Sequence, residues 1–304
     1  MDPVVIAFGL GVGILIGLTG IGGGSLMTPL LILVVGTKPV VAIGTDLAYG
    51  AITKTLGGWR HLRKGTVDLG LTAWMASGSV PGSLIGVVVL DRLHDHYGKS
   101  FDNKVLVGLA AALLLVAGAV LVRALFMPRL LAREVESPVL DRSTKAQAAL
   151  IGLVLGFILG MTSVGSGALI GLALILVFRL TPRRVVGTDV FHAAILLWVS
   201  GFGHFIAGNV DFGLMANILI GSLPGVWIGT SLITRVPQNG LRPTLGVVLL
   251  ASALAIFNKA GADVPVAAII GAPAAVGLLA WLLHRTRDAR HLSAPAAATS
   301  APPS

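Results

Sequence analysis

Nothing charged stands between Asp2 and Lys38, between Lys104 and Arg123, or between Asp189 and Asp211. Uncharged apolar runs of about 20 residues are long enough to cross a hydrocarbon core of about 30 Å as helices. Inside that core only helices or closed barrels satisfy every backbone group. Runs of this length and composition predict an all-α, polytopic membrane protein. The composition agrees: 12% of residues are charged and 55% hydrophobic, against about 25% charged in soluble domains. A formal net charge of +9 would suggest nucleic acid in a soluble chain. Here it is read as basic loops beside a lipid bilayer, and no nucleic-acid partner is expected.

The apolar segments fall near Pro3–Thr19, Gly24–Val35, Pro39–Gly58, Val67–Leu90, Val105–Phe126, Ala146–Thr162, Ser166–Phe178, Val185–Ile206, Val210–Ile233, Leu241–Phe257 and Val264–His284. Gly24–Val35 and Ser166–Phe178 are too short to span. Each follows a glycine-rich break, in "LTGIGGGSLMTPLL" (Leu18–Leu31) and "MTSVGSGALIGLAL" (Met161–Leu174). Broken backbone is tolerated at membrane depth only where protein buries it or it lines a wet cavity. The two stretches are therefore read as half-helices of broken or re-entrant hairpins.

The two breaks belong to a longer internal repeat. Gly17–Gly86 aligns without a gap on Gly160–Gly229, at the offset that carries Thr19 onto Thr162. Gly22 and Gly24 meet Gly165 and Gly167, and "GTD" at Gly44–Asp46 meets "GTD" at Gly187–Asp189. His61 meets His204, "VDLG" at Val67–Gly70 meets "VDFG" at Val210–Gly213, and "GSVPG" at Gly78–Gly82 meets "GSLPG" at Gly221–Gly225. Each unit holds an odd number of segments, so the second copy enters the membrane from the opposite face. Inverted repeats with paired broken helices mark transporters that hold substrate near the midplane. The expected organisation is a first repeat over 1–126, a cytoplasmic connecting loop over 127–145 and the second, inverted repeat over 146–257. An additional transmembrane helix over 258–284 and a disordered cytoplasmic tail over 285–304 complete it.

Of the 22 lysines and arginines, 16 fall on one side of this topology, among them Arg60, Arg63, Lys64, Arg183 and Arg184. Lys38, Arg92, Lys99, Lys104 and Lys259 fall on the other. The bias makes the first side cytoplasmic, with the N-terminus outside and the C-terminus inside. The opening "MDPVVIAFGL" lacks a basic region, so the first segment is expected to be retained rather than cleaved as a signal. With no cysteine, thiolate metal sites and cysteine nucleophiles are excluded. Paired carboxylates, a nucleophile with its base and a metal-ligand cluster are also missing from the spans. No cofactor, no metal and no enzymatic activity are expected.

The Gly-x-Gly-Gly-Gly break with its following proline, the "GTDLAYGAITKTLGGWRHLRKGTVD" stretch and the second "GTD…H…GNVD" copy resemble the TauE/SafE family of sulfite exporters, or TSUP permeases. The likeness spans about residues 5–257. It implies an inner-membrane permease of the bacterial type, for sulfite, thiosulfate, sulfonates or small carboxylates. The family more often carries Ser or Asn after Gly-Thr, so Asp46 and Asp189 depart from its pattern.

The candidate substrate site is built from the breaks. Gly20, Gly22, Gly23, Gly24, Gly165 and Gly167 let a ligand approach the backbone, and unpaired N–H groups at a helix start attract an oxyanion. Thr19, Ser25, Thr162, Ser163 and Ser166 add hydroxyl donors, and Thr45 and Thr188 are further neutral donors. Glycine pairs such as Gly9/Gly13 and Gly82/Gly86 are read instead as helix-packing contacts. No phosphate-loop lysine follows either break.

Asp46 and Asp189 admit two readings: N-caps of their helices, or a pair that takes up protons as the coupling ion. Lys54, whose repeat counterpart is Leu197, either snorkels to an interface or supplies charge in the pathway. His61 and His204 are read as interfacial caps with a gating role as the alternative. Asp68 and Asp211 are expected to cap the next helices, and Pro81 and Pro224 to form hinges or static bends. "LHDHYGK" (Leu93–Lys99) is expected to be a polar loop. The helix beyond the repeat offers a surface for a homodimer.

Overall fold

The computed structural model describes residues 2–19, 24–130, 134–232 and 238–278. Among these described residues eleven α-helices follow in chain order: α1 (Pro3–Thr19), α2 (Gly24–Leu30), α3 (Pro39–Arg63), α4 (Leu69–Tyr97), α5 (Lys99–Leu130), α6 (Arg142–Thr162), α7 (Leu169–Leu176), α8 (Pro182–Ile206), α9 (Phe212–Leu232), α10 (Gln238–Lys259) and α11 (Val266–Leu278). Among the described residues, strand pairing is limited to one bridge between Val135 and Leu180. The helices α4, α6, α8 and α9 and the Phe101–Leu121 part of α5 are apolar and long enough to cross a membrane.

Helix starts follow local chemistry. Pro39 and Pro182 occupy the first turns of α3 and α8, where a missing N–H costs nothing. The Asp68 carboxylate accepts the Leu71 N–H at 2.8 Å and the Asp211 carboxylate accepts that of Leu214 at 2.9 Å. Both therefore cap their helices as expected. Asp141 does the same for Thr144 ahead of α6. Within α2, Pro29 removes one amide donor, and the chain passes directly into a π-helical turn over Leu31–Val35. Lys259 at the end of α10 donates to the Ile32 carbonyl of that turn at 2.6 Å.

Several boundaries differ from the sequence reading. α7 begins at Leu169 rather than Ser166, because Ser163, Gly165 and Gly167 adopt φ of 60°, 127° and 94°, outside helical geometry. "LHDHYGK" is not a loop: α4 continues through His94 and His96 to Tyr97 and stops at Gly98, whose φ is 54°. α5 and α6 extend to Leu130 and back to Arg142, which leaves the connecting loop shorter than 127–145. The proposed tail over 285–304 lies outside the described residues. Pro81 and Pro224 lie inside α4 and α9.

The principal helix contacts pair α4 with α6, α1 with α9, α3 with α8 and α5 with α10. Glycine permits the first two. A β-carbon at Gly78, Gly82 or Gly86 would stand within 2.5 Å of the Ala149, Leu153 or Phe157 carbonyl oxygen of α6. One at Gly9 or Gly13 of α1 would stand 2.7 or 2.4 Å from the Ile218 or Ser222 carbonyl of α9. These are the small-residue contacts by which helices associate in lipid. The largest apolar cluster joins α1, α2, α5, α9 and α10 around Met27, Leu31, Leu113 and Ile218, and encloses the first half-helix. A second cluster packs α6, α7 and α8 onto α4 around Leu71, Met75, Leu174 and Val185.

Candidate functional site

The second break is the junction of the molecule's buried polar groups. Leaving α6, the chain turns at Ser163, whose positive φ is rare for a residue with a side chain. The turn is held locally: the Ser163 N–H donates to the Leu159 carbonyl at 2.7 Å, and the Thr162 hydroxyl donates to that of Ile158 at 2.6 Å. It also aims the Ser163 hydroxyl across the bundle, where it donates to Asp46 Oδ2 at 2.8 Å. From α2 the Thr28 hydroxyl donates to the same oxygen at 2.5 Å. Four residues past Ser163, the Gly167 N–H donates to Asp189 Oδ1 at 3.1 Å. One break is thus bonded to both aspartates.

The first break meets the second. A β-carbon at Gly24 would lie 2.5 Å from the Ser163 carbonyl oxygen, so the two interrupted hairpins touch where only glycine fits. Gly20, Gly22 and Gly23 lie outside the described residues, as does the Thr19 side chain. Ser25 and Ser166, one beside each break, are buried, and neither hydroxyl has a hydrogen-bond partner among the described residues.

Neither aspartate caps its own helix. The residues preceding α3 and α8 are Lys38 and Thr181, and Asp46 and Asp189 lie in the second turn or beyond, 1% and 6% exposed. Their carboxylates instead accept donors from other segments. Among the described residues Asp46 Oδ1 has no hydrogen-bond partner. Burial of a carboxylate is costly, and the hydroxyl and amide donors around it reduce that cost.

Thr45 and Thr188 do not face the breaks as donors. The Thr45 hydroxyl accepts the Asp211 N–H and the Thr188 hydroxyl accepts the Asp68 N–H, both at 3.0 Å. They close contacts between the start of one helix and the second turn of another. Beside them, a β-carbon at Gly44 or Gly187 would stand 2.3 Å from the Asn209 or Thr66 carbonyl oxygen.

Lys54 does not snorkel. It is 8% exposed, and its buried ammonium has no hydrogen-bond partner among the described residues. His61 sits at the end of α3 with Nδ1 2.9 Å from the Thr66 hydroxyl, which fits an interfacial cap. His204 is fully buried, and its Nε2 lies 2.9 Å from the Gly160 carbonyl two residues before the α6 terminus. It lies in the last turn of α8, shielded from solvent by protein. Its position braces the last turn ahead of the second break.

Three participants escaped the sequence reading. Thr28 stands in an apolar run that offers no motif. His192 of α8 is 1% exposed, with Nε2 2.8 Å from Ser79 Oγ of α4. Its signal was available: a histidine three residues past Asp189 on the same helix face, replacing Tyr49 of the first repeat. Ser137, in the connecting segment, donates to Asp68 Oδ2. Among the described residues there is no group of three or more His, Asp or Glu side chains that could hold a metal ion. A separate apolar groove of about 360 Å³, lined by Ala51, Leu197, Trp198, Phe202, Phe205 and Met215 among others, includes none of these polar groups.

Residues 5–256 match the family described as Sulfite exporter TauE/SafE. A probable membrane transporter protein of Bacillus subtilis, YjnA, is 39% identical over 260 residues, covering 84% of this chain and all of the relative. A second from the same organism, YdhB, is 26% identical over 77% of this chain and 91% of its own length. A probable membrane transporter protein of Xylella fastidiosa is 28% identical over 86% of this chain and 98% of its own. No solved structure matches.

Proposed function

The chain belongs to the TauE/SafE family and is a multi-pass membrane transporter; from that premise we propose that it is a secondary permease for a small sulfur-containing or carboxylate anion, such as sulfite, thiosulfate or a sulfonate, coupled to protons. The observation that carries the reading is the junction of the two breaks. Gly24 abuts Ser163, Ser163 bonds Asp46 and Gly167 bonds Asp189. Irregular backbone, buried hydroxyls without partners among the described residues and two buried carboxylates bonded to one break have no role in a purely lipid-packed bundle, since each is costly there.

The inverted-repeat reading has support in the pairings. Adding the repeat offset turns the α1–α9 pair into the α6–α4 pair, and the Thr45–Asp211 hydrogen bond into the Thr188–Asp68 bond. In this reading α1 to α5 and α6 to α10 are the two units, and α11 stands outside them. The halves rock around the joined breaks and expose the anion to one face, then the other. The inner-membrane location, with the N-terminus outside and the C-terminus cytoplasmic, rests on the loop charges.

Coupling follows from electrostatics. An ionised aspartate beside the site repels an entering anion, and a proton on it removes that repulsion, so anion and proton travel together. The test is flux into liposomes that contain the purified protein. An imposed pH gradient should drive sulfite, thiosulfate, a sulfonate or a small carboxylate uphill. Flux that only dissipates the anion's own gradient would identify an uncoupled facilitator instead, and flux of none of these anions would refute the substrate class.

A further inference from the structure

Resting on the permease reading above, we propose that Lys54 is the counter-charge that binds the transported anion, with His192 as the neutral donor facing it from α8.

Lys54 stands where α3 crosses α8. β-Carbons at Gly50 and Gly57 of α3 would touch Leu197 and Val190 of α8 at 3.1 Å, and one at Gly58 would lie 3.3 Å from the Phe191 Cα. These contacts bracket residue 54 along the helix, so its side chain leaves α3 within the crossing. It lies eight residues, about 12 Å of helix, beyond Asp46. Among the described residues the buried ammonium has no hydrogen-bond partner. Asp189 and Asp46 are the carboxylates in electrostatic range of it, and among the described residues neither lies within hydrogen-bond distance of the ammonium; Gly167 donates to the first, Thr28 and Ser163 to the second. A buried ammonium with unfilled donors is costly to maintain. The scaffold does not require it, because the equivalent position in the second repeat holds Leu197.

His192 is the second break in the symmetry, and Lys54 is in electrostatic range of it. Its Nε2 is engaged by Ser79, while Nδ1 is buried and has no hydrogen-bond partner among the described residues. In the tautomer in which Ser79 donates to Nε2, Nδ1 carries the proton and is a neutral donor. An ammonium and a ring N–H, both unfilled and on facing helices, suit one compact anionic head group. A sulfonate, sulfite or carboxylate has that chemistry, and an apolar or cationic solute does not.

The experiment uses the full-length protein purified in detergent and reconstituted in liposomes, with sulfite, thiosulfate, methanesulfonate and acetate as probes. The wild type first identifies which probe raises the melting temperature and is transported. If none does, the permease reading fails, independently of Lys54. With that probe, Lys54→Met should raise the half-saturation concentration at least tenfold and abolish the probe's thermal shift, while the empty protein melts at or above the wild-type temperature. Lys54→Arg should keep binding but alter the ranking of the four anions. His192→Gln should raise half-saturation severalfold without lowering the melting temperature.

The proposal is overturned if Lys54→Met transports with unchanged half-saturation, or if it melts lower yet keeps the full thermal shift. Should Lys54→Met yield no folded protein, Lys54→Arg decides: an unchanged anion ranking overturns the assignment. Unchanged half-saturation in His192→Gln removes His192 from it.

Discussion

Gly24→Ala tests the contact on which the site depends. The new β-carbon would stand 2.5 Å from the Ser163 carbonyl oxygen, about 0.9 Å inside the 3.4 Å at which ordinary contact begins. Ser163 is poorly placed to retreat. Its N–H is held by Leu159 at 2.7 Å, its hydroxyl by Asp46 at 2.8 Å, and its φ is already 60°. Relief must come from separating α2 from the second break. Overpacking of this kind costs about 1–3 kcal/mol, and each 1.36 kcal/mol is tenfold. Closed, bonded breaks should therefore lose about 5- to 150-fold in population against separated ones. Gly11→Ala on the same hairpin is the control, because nothing lies within 4 Å of its β-carbon and alanine favours a helix by about 1 kcal/mol. Thermal melting in detergent and anion flux in liposomes should both fall for Gly24→Ala, and neither should fall for Gly11→Ala. Wild-type melting and wild-type flux in Gly24→Ala would refute the joined breaks.

Asp46→Asn keeps an amide oxygen able to accept from both Thr28 and Ser163, so it should fold while changing the pH dependence of flux; an unaltered pH profile would remove Asp46 from coupling. Thr45→Val and Thr188→Val each strip the acceptor from a backbone N–H at a helix start, of Asp211 or Asp68, at about 1–3 kcal/mol. Both should melt lower by similar amounts, and a wild-type melt for either would contradict its structural role. Asp211→Ala loses one cap, worth about 1 kcal/mol. Asp68→Ala should cost more because the Ser137 hydroxyl is also left without its acceptor, and the reverse order in chemical denaturation would contradict that tether.

Helix identity was legible because it follows from one-dimensional signals. Uncharged runs, Pro39, Pro182 and the Asp68 and Asp211 caps mark helices directly, and α8 starts within three residues of the expected Val185. The glycine pairs Gly9/Gly13 and Gly82/Gly86 were readable as packing contacts for the same reason. What resisted reading depends on where side chains arrive in space. Asp46 and Asp189 look like caps because they stand near helix starts. The structure gives them donors from α2 and the second break, segments distant in sequence. Thr45 and Thr188 look like ligand donors because they flank the aspartates, yet helical geometry turns them to the opposite contact. Thr28 has no motif at all, and its role exists only because α2 packs on α3.

The repeat also separates scaffold from chemistry. Residues that recur tend to be satisfied by each other across the halves: Gly44 and Gly187 accept close carbonyls, Thr45 and Thr188 accept amides, Asp68 and Asp211 cap helices. Among the described residues of the repeat, five of the eight side chains with unfilled buried polar atoms stand where the copies differ: Ser25, Lys54, Ser166, His192 and Ser200 answer to Ala168, Leu197, Gly23, Tyr49 and Gly57, while Asp46, His204 and Ser222 stand at matched positions. A duplicated fold needs its matched residues to build two equivalent halves. It has no use for an unfilled buried group in one half alone, because each such group costs stability with no internal partner. Retaining several of them beside paired, buried aspartates fits a site that is completed by something from outside the chain. Asp46 is instructive here, since its match Asp189 is present and it still keeps one carboxylate oxygen unfilled. The matched residues build the scaffold twice over, and the proposed anion contacts, Lys54 and His192, break that symmetry.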